Sequence, residues 1–241
     1  MTRIAFGIIM KAPAEGFVKT RLSPPLTAAQ ATSLHCCFVR DTCANVSDVM
    51  QNFPVDAFAV YTPAGSEPAI HAIVPSHFGL VLQRGVTFGE RLFCAASDLL
   101  AMGYDGAVLV DSDSPTVPTS SLELAVSALS AGGDRATIGP CEDGGYYLLG
   151  LKFAHERLFE DIAWSSNVVC RQTCDRAQEI ALPMTVLPQW YDIDDASSLQ
   201  ELHQEFSAPS EARRGGYPAR HSRFNVQDLY ARNSALVDAV S

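Results

Sequence analysis

The stretch Ala107-Val108-Leu109-Val110-Asp111-Ser112-Asp113-Ser114-Pro115 decides the fold. Its first four residues are apolar without alternation, the pattern of a strand covered on both faces, as parallel strands are. The next five are acids, hydroxyls and a proline, which take the chain out of the core into a turn. A strand buried on both faces needs helices above and below it, and the flanking sequence supplies them. Strand-like runs are expected at 3–10, 55–61, 80–83, 136–139, 146–151 and 184–187. Helical spacing is expected at 27–46, 88–102, 168–180 and 195–206. One more helix opens after Pro118, where Ser120 and Glu123 stand at capping-box spacing. Alternating strands and helices predict an α/β fold, with a mostly parallel sheet between helical layers.

The 241 residues fit one large domain plus a short appendage. Apolar residues make up 47% and charged residues 18%, a balance that excludes a disordered chain. The formal net charge of −10 argues against nucleic-acid binding. Residues 1–206 carry −12, whereas residues 207–241 carry five arginines and three acids, a net of +2. The shift at Phe206 marks the boundary expected between a main domain and a C-terminal arm or helix. Val226, Leu229, Leu236 and Val240 suit a final helix over 225–240. That tail is expected to pack across the domain or onto a second subunit in a homodimer. No run of 18 apolar residues predicts a membrane span, and the N-terminal run reads as a first strand rather than a signal peptide. Seven cysteines without a Cys-x-x-Cys pair suit a reduced, cytoplasmic protein, and their spacing predicts no zinc site.

Three groups of residues carry candidate chemistry. Asp111 and Asp113 stand at the carboxyl end of a buried strand, where open parallel sheets bind ligands. Two carboxylates so close repel unless a cation or a raised pKa relieves them. Mg2+ or Mn2+ would do so and would bridge to phosphate; the same residues are also good turn chemistry. Asp192-Ile193-Asp194 offers a second acidic pair, both on one side of an extended segment. Asp194 or Asp195 serves equally well as the N-cap of the helix that follows. Lys11, Lys19 and Arg21 concentrate positive charge in the loop after the first strand, where they could neutralise phosphates. A solvated loop is the alternative. Gly144 and Gly145 permit close backbone approach to a ligand, or simply a tight turn. Glu90, paired in sequence with Arg91, reads as an acid at a helix start.

Together these segments resemble one bacterial family. They are Lys11-Ala12-Pro13, Gly16-Phe17-Val18-Lys19-Thr20-Arg21-Leu22, Phe88-Gly89-Glu90-Arg91-Leu92, Ser112-Asp113-Ser114-Pro115-Thr116, Asp143-Gly144-Gly145-Tyr146-Tyr147 and Asp192-Ile193-Asp194. The chain resembles the glycosyltransferase-A-fold (GT-A) proteins labelled nucleotide-diphospho-sugar transferases over roughly residues 3–206. It is more distantly similar to 2-phospholactate guanylyltransferase and molybdenum cofactor guanylyltransferase. The resemblance implies a three-layer α/β/α sandwich with nucleotide over the first-strand loop. It makes Asp113 the metal-binding acid and Asp192 and Asp194 the distal pair. Asp111 departs from the family, which has glycine there.

The expected activity is a divalent-metal-dependent transferase acting on a nucleotide or nucleotide-sugar and an unidentified acceptor. Lys11, Lys19 and Arg21 would hold phosphates; Asp113, with Asp111 or Asp194, would hold the metal. Nucleotidyl transfer to a phosphorylated acceptor is preferred, because an outgoing pyrophosphate needs counter-charge. Glycosyl transfer from an NDP-sugar is the first alternative, and a non-catalytic nucleotide- or metabolite-binding protein the second.

Overall fold

In the computed structural model, which describes residues 2–209, 214–233 and 236, the unalternating run is a central strand. Among the described residues seven strands make one sheet: β1 (Ile4–Lys11), β2 (Val55–Thr62), β3 (Gly79–Leu82), β4 (Gly106–Val110), β5 (Ala136–Pro140), β6 (Tyr146–Leu151) and β7 (Met184–Val186). Their spatial order is β3-β2-β1-β4-β6-β5-β7. Pairs within the β3-β2-β1-β4 half are parallel, as is β5 with β7. β6 runs antiparallel to both β4 and β5. The reason is local: only the short turn 141–145 joins β5 to β6, and a parallel pair needs a long crossover.

Alternation along β1 sends Ile4, Phe6 and Ile8 into one core and Ala5 into another. The first core is closed by α1 (Ala28–Asn52), α4 (Thr119–Ser130), α6 (Ala196–Ser207) and α7 (Arg220–Arg232). The second is closed by α3 (Phe88–Ala101), a short 3-10 turn at Glu156–Phe159 and α5 (Val169–Glu179). A short α2 (Glu67–His71) lies between β2 and β3. The architecture is therefore the three-layer α/β/α sandwich. Gly7 allows α3 to approach β1 closely, since a Cβ there would meet Leu99 and Val60 at 2.9 Å. None of the described helices is long and apolar enough to cross a membrane.

One helix end and one helix cap among residues 27–130 differ from expectation. α1 continues to Asn52 because Val49 extends the buried stripe of Val39 and Val46. The capping box at Ser120 does not form: α4 starts at Thr119, and its N-cap is Pro118, without a side-chain cap. Buried Asn45 of α1 fixes that start, donating from Nδ2 to Val117 O (2.7 Å) and accepting from Thr119 Oγ1 (2.7 Å). Capping boxes occur instead at Thr27/Gln30, Thr87/Glu90 and Asp195/Ser198. In the second, Glu90 accepts from the N–H of Val86 and Thr87 and does not turn to Arg91.

α7 begins at Arg220, five residues before the expected start, and packs on α1 and α6; Val240 lies outside the described residues. Its N-terminus is capped from another helix. Asp41 of α1, 1% exposed, accepts from His221 N (3.1 Å), Ser222 N (2.7 Å) and Ser222 Oγ (2.5 Å). A carboxylate at a helix N-terminus meets both the free N–H groups and the positive end of the dipole. Asp41→Ala should lower unfolding free energy by about 2–4 kcal/mol in urea titrations, since it strips buried donors of their charged partner. A change below about 0.5 kcal/mol would mean that α7 docks without this cap.

Candidate active site

β1 and β4 end side by side, and a cleft of about 610 Å³ opens beyond their carboxyl ends. The chain leaving β1 folds back over this opening, pinned by buried Val18, Leu22 and Leu26. At the fold-back Lys19 adopts left-handed backbone angles (φ 47°, ψ 41°), a costly conformation for a residue with a Cβ. It turns the side chain inward. The Lys19 side chain is 5% exposed, and its ammonium donates to Ile193 O (2.5 Å), Asp113 Oδ1 (2.9 Å) and Asp194 Oδ1 (3.1 Å). A lysine has three N–H donors, and all three are committed here. Ile193 N returns a bond to Asp113 O (3.0 Å), so the strand-end turn and the 192–194 segment are clasped together.

This clasp sorts the four aspartates. Burial works against charge on Asp113, but Lys19 outweighs it and holds the carboxyl below its ordinary range. Asp194 has Lys19 on one oxygen and Arg21 at 3.7 Å from the other. Asp111 has no such partner. Burial, reinforced by Asp113 and Asp192, pushes its carboxyl well up, while Ser114 bonds its oxygens through N (3.2 Å) and Oγ (2.8 Å). Asp192 is half-buried and pushed up to about 7 by burial, then by Asp143 and Asp194. Asp195, not Asp194, is the N-cap of α6.

Lys11, Lys19, Arg21, Asp111, Asp113, Gly145, Asp192 and Asp194 all line the cleft. Gly144 does not; its positive φ (91°) serves a close approach to Asn167, whose carbonyl oxygen lies 2.1 Å from where a Cβ would stand. Gly145 N donates to Asp143 Oδ1 (2.7 Å). Neutral His35, its pKa lowered chiefly by burial, braces the end of β1 through a 2.9 Å contact from Nε2 to Lys11 O.

Several residues of the site were not legible as such. Asp143 reads only as part of a turn, yet its carboxylate, that of Asp192 and the Cys141 thiol bring ligand atoms within 4.8 Å of one another. A parallel bridge between Cys141 and Trp190 aligns the two segments that carry them. Phe88 and Trp164 meet edge to face (5.1 Å between centroids, 86°) on the opposite wall, beside Arg91. The arm after α6 also contributes. Arg214 bonds Glu142 (2.9 Å) and Glu201 while lying 4.8 Å over the Tyr191 ring, and Tyr217 N donates to Thr116 O (2.9 Å). Arginine-rich composition without periodicity gave no sign that it braces the acidic wall from behind.

Residues 45–166 match the family described as "uncharacterized protein conserved in bacteria (DUF2064)", and the chain belongs to that family. Among solved structures it is similar to a provisionally assigned nucleotide-diphospho-sugar transferase from Desulfovibrio desulfuricans G20. Identity there is 27% over 99% of this chain and 98% of that one, with a TM-score of 0.81. The fold is shared with CMP:2-keto-3-deoxy-manno-octonic acid synthetase in complex with CTP (9% identity, 83% and 97% coverage, TM-score 0.54). It is also shared with 4-diphosphocytidyl-2C-methyl-D-erythritol synthase from Anaerococcus prevotii DSM 20548 (11% identity, 86% and 99% coverage, TM-score 0.55). No curated protein matches the chain. The expected GT-A-type sandwich is the observed fold.

The uncompensated acids have a consequence for stability. With the Asp192 carboxyl at about 7 in the folded protein against 3.8 ordinarily, the native state holds a proton that the unfolded chain has released. Stability should therefore fall as pH rises through that window, and Asp111 adds to it with the same sign. Between about pH 5.5 and pH 8 the Asp192 share should be about 1 kcal/mol after discounting for partial solvent exposure. Thermal melts should show Asp192→Asn flattening this dependence and raising the melting temperature at the alkaline end. An unchanged pH profile in the variant would remove Asp192 as its source.

Proposed function

We propose that this DUF2064 member is a divalent-metal-dependent transferase that moves a nucleotidyl group from a nucleoside triphosphate to a phosphorylated acceptor. One observation carries the reading: the cleft has cations at its mouth and a wall of acids that protein cations leave unneutralised. Lys11 and the 69%-exposed Arg21 side chain stand on the first wall; Asp111, Asp143 and Asp192 stand on the second. Phosphoryl and nucleotidyl transfer need positioning and charge neutralisation more than covalent help, and this division supplies both.

Lys19 takes a different part from Arg21. Its ammonium is spent on Asp113, Asp194 and Ile193, so it positions the acids, whereas Lys11 and Arg21, which meets Asp194 only at 3.7 Å, keep donors to grip phosphate oxygens. Arginine suits that grip because its planar fork meets two oxygens at once. The donor set fits a divalent cation, since close carboxylates without a counter-charge are what such an ion relieves. Asp192 and Asp143, whose ligand oxygens lie within 4.8 Å of one another, would hold it, with Asp111, Asp113 and Asp194 lining the same cleft. The ion would supply neutralisation of phosphate charge. His35 keeps the Lys11 backbone in place, and the Phe88–Trp164 wall narrows the water-accessible volume around the reacting phosphates.

The designation of the Desulfovibrio relative favours sugar transfer from an NDP-sugar as the second reading. Against it, Asp111 and Asp113 do not present a free pair of carboxylates: one is tied to Ser114 and the other to Lys19. Calorimetric titration of NTP, NDP, NMP and NDP-sugar with Mg2+ or Mn2+ separates the readings. Arg21→Ala should weaken NTP binding by roughly 10- to 150-fold, the worth of a charge-assisted contact, and NMP binding far less. Tighter binding of the NDP-sugar than of the NTP, with Arg21→Ala affecting both equally, would favour sugar transfer. Weak, uniform binding of every nucleotide would make the protein a non-catalytic binder.

A further inference from the structure

The acidic wall contains a group of another kind. Cys141 is 4% exposed, and its sulfur stands within 4.8 Å of ligand oxygens of both Asp143 and Asp192. The arrangement is built by backbone rather than by surface side chains. Trp190 N donates to Pro140 O (3.0 Å) and Glu142 N donates to Trp190 O (2.9 Å), forming the parallel bridge that sets Cys141 opposite Trp190. Two residues further along each segment come Asp143 and Asp192. The turn is closed by Cys141 N to Gly145 O (2.9 Å) and held by the tight fit of Gly144 under Asn167. Trp190 is anchored by Nε1 to Thr116 Oγ1 (3.1 Å), and Arg214 fixes Glu142 from the far side. Among the described residues, no lysine, arginine or histidine forms an ion pair with Asp143 or Asp192. Lys19 and Arg21, the nearby cations, are turned to Asp113 and Asp194.

We infer that Cys141, Asp143 and Asp192 form a mixed thiolate–carboxylate metal site that takes a zinc-class cation in preference to Mg2+. The inference rests on reading the cleft as a metal-dependent site and assigns which metal it selects. Carboxylates alone suit Mg2+, which demands hard oxygen ligands in near-octahedral array. A thiolate shifts preference to softer ions, which accept three protein ligands and keep a position open for water or a substrate oxygen. Binding exchanges the thiol proton for the metal: an S–H bond breaks, an S–metal bond forms, and the proton leaves to solvent.

The test is a titration of the full-length, reduced protein with Cd2+, Zn2+ and Mg2+ in the absence of nucleotide. Cd2+ should produce a sulfur-to-metal charge-transfer band that Zn2+ displaces stoichiometrically and that excess Mg2+ leaves in place. Cys141→Ser should lose the band. The same variant should bind Zn2+ roughly 10- to 100-fold more weakly, at least the loss seen when a ligand's supporting partner is removed. Asp143→Asn, an exposed change that keeps the acceptor for Gly145, should retain the band and lose Zn2+ affinity. It carries the test if Cys141→Ser fails to fold. A band undiminished in Cys141→Ser would overturn the site, because Cys170 and Cys174 on α5 would then be its source. Equal competition by Mg2+ and Zn2+, or unchanged Zn2+ affinity in Asp143→Asn, would overturn it too. Zn2+ binding that depends on Cys141, together with no nucleotide bound in calorimetric titrations of the Zn2+-loaded protein, would support this site while defeating the transferase reading.

Discussion

One ammonium group organises the cleft. Lys19 is drawn from a loop that would otherwise be solvated, turned inward by left-handed backbone angles, and bonded to two carboxylates and a carbonyl. A buried charge with every donor satisfied is poor evidence for added stability, since desolvation offsets much of its attraction. What it supplies is register. The loop after β1, the turn after β4 and the segment before α6 come from distant parts of the chain, and this contact requires them to meet in one arrangement. Removing the lysine would strip Asp113 of its cation and leave Asp194 with Arg21 at 3.7 Å, and the three segments would lose their common point.

The clasp also decides which acids are left without a cation. By neutralising Asp113 and Asp194 it leaves Asp111, Asp143 and Asp192 as the acids that face the cleft without a counter-ion among the described residues. The paired backbone around these acids opposes their separation. The hairpin of β5 and β6 and the bridge at Trp190 cannot relax to separate the carboxylates without breaking sheet hydrogen bonds. Strain of this electrostatic kind is characteristic of sites poised for a ligand. Its geometry is maintained partly by the segment after α6, because Arg214 bonds Glu142 and Tyr217 N bonds Thr116 O.

The C-terminal arm is tied in by ordinary means used at long range. Asp41 caps α7 across 180 positions or more of sequence, and apolar Val226 and Leu229 complete a core begun by α1. The described residues 214–233 carry four arginines and one acid, against a strongly negative remainder of the chain. The specific contacts nevertheless go through one buried aspartate and one arginine rather than through bulk charge.

The sequence by itself determined the layered architecture and the end of the sheet at which the cleft lies. An unalternating apolar run followed at once by acids can be satisfied only by a strand buried on both faces whose carboxyl end meets solvent. Periodicity located most helices within a few residues. It gave α4 a capping box that does not form, because the tie that fixes this end, Asn45 with Thr119 and Val117, spans more than 70 positions. The candidate residues from the β1 loop, the β4 turn and the 192–194 segment converge as their motifs suggest, with Gly144 turned to structural use. Only the tertiary structure decided what each one does. Whether an aspartate is paired, strained or capping depends on which cation reaches it, and that depends on the path of Lys19. Whether Cys141 is core filler or a ligand depends on a backbone bridge to Trp190. Local sequence sets propensities for turn, strand and helix; charge compensation is a property of neighbours in space, which no spacing along the chain encodes.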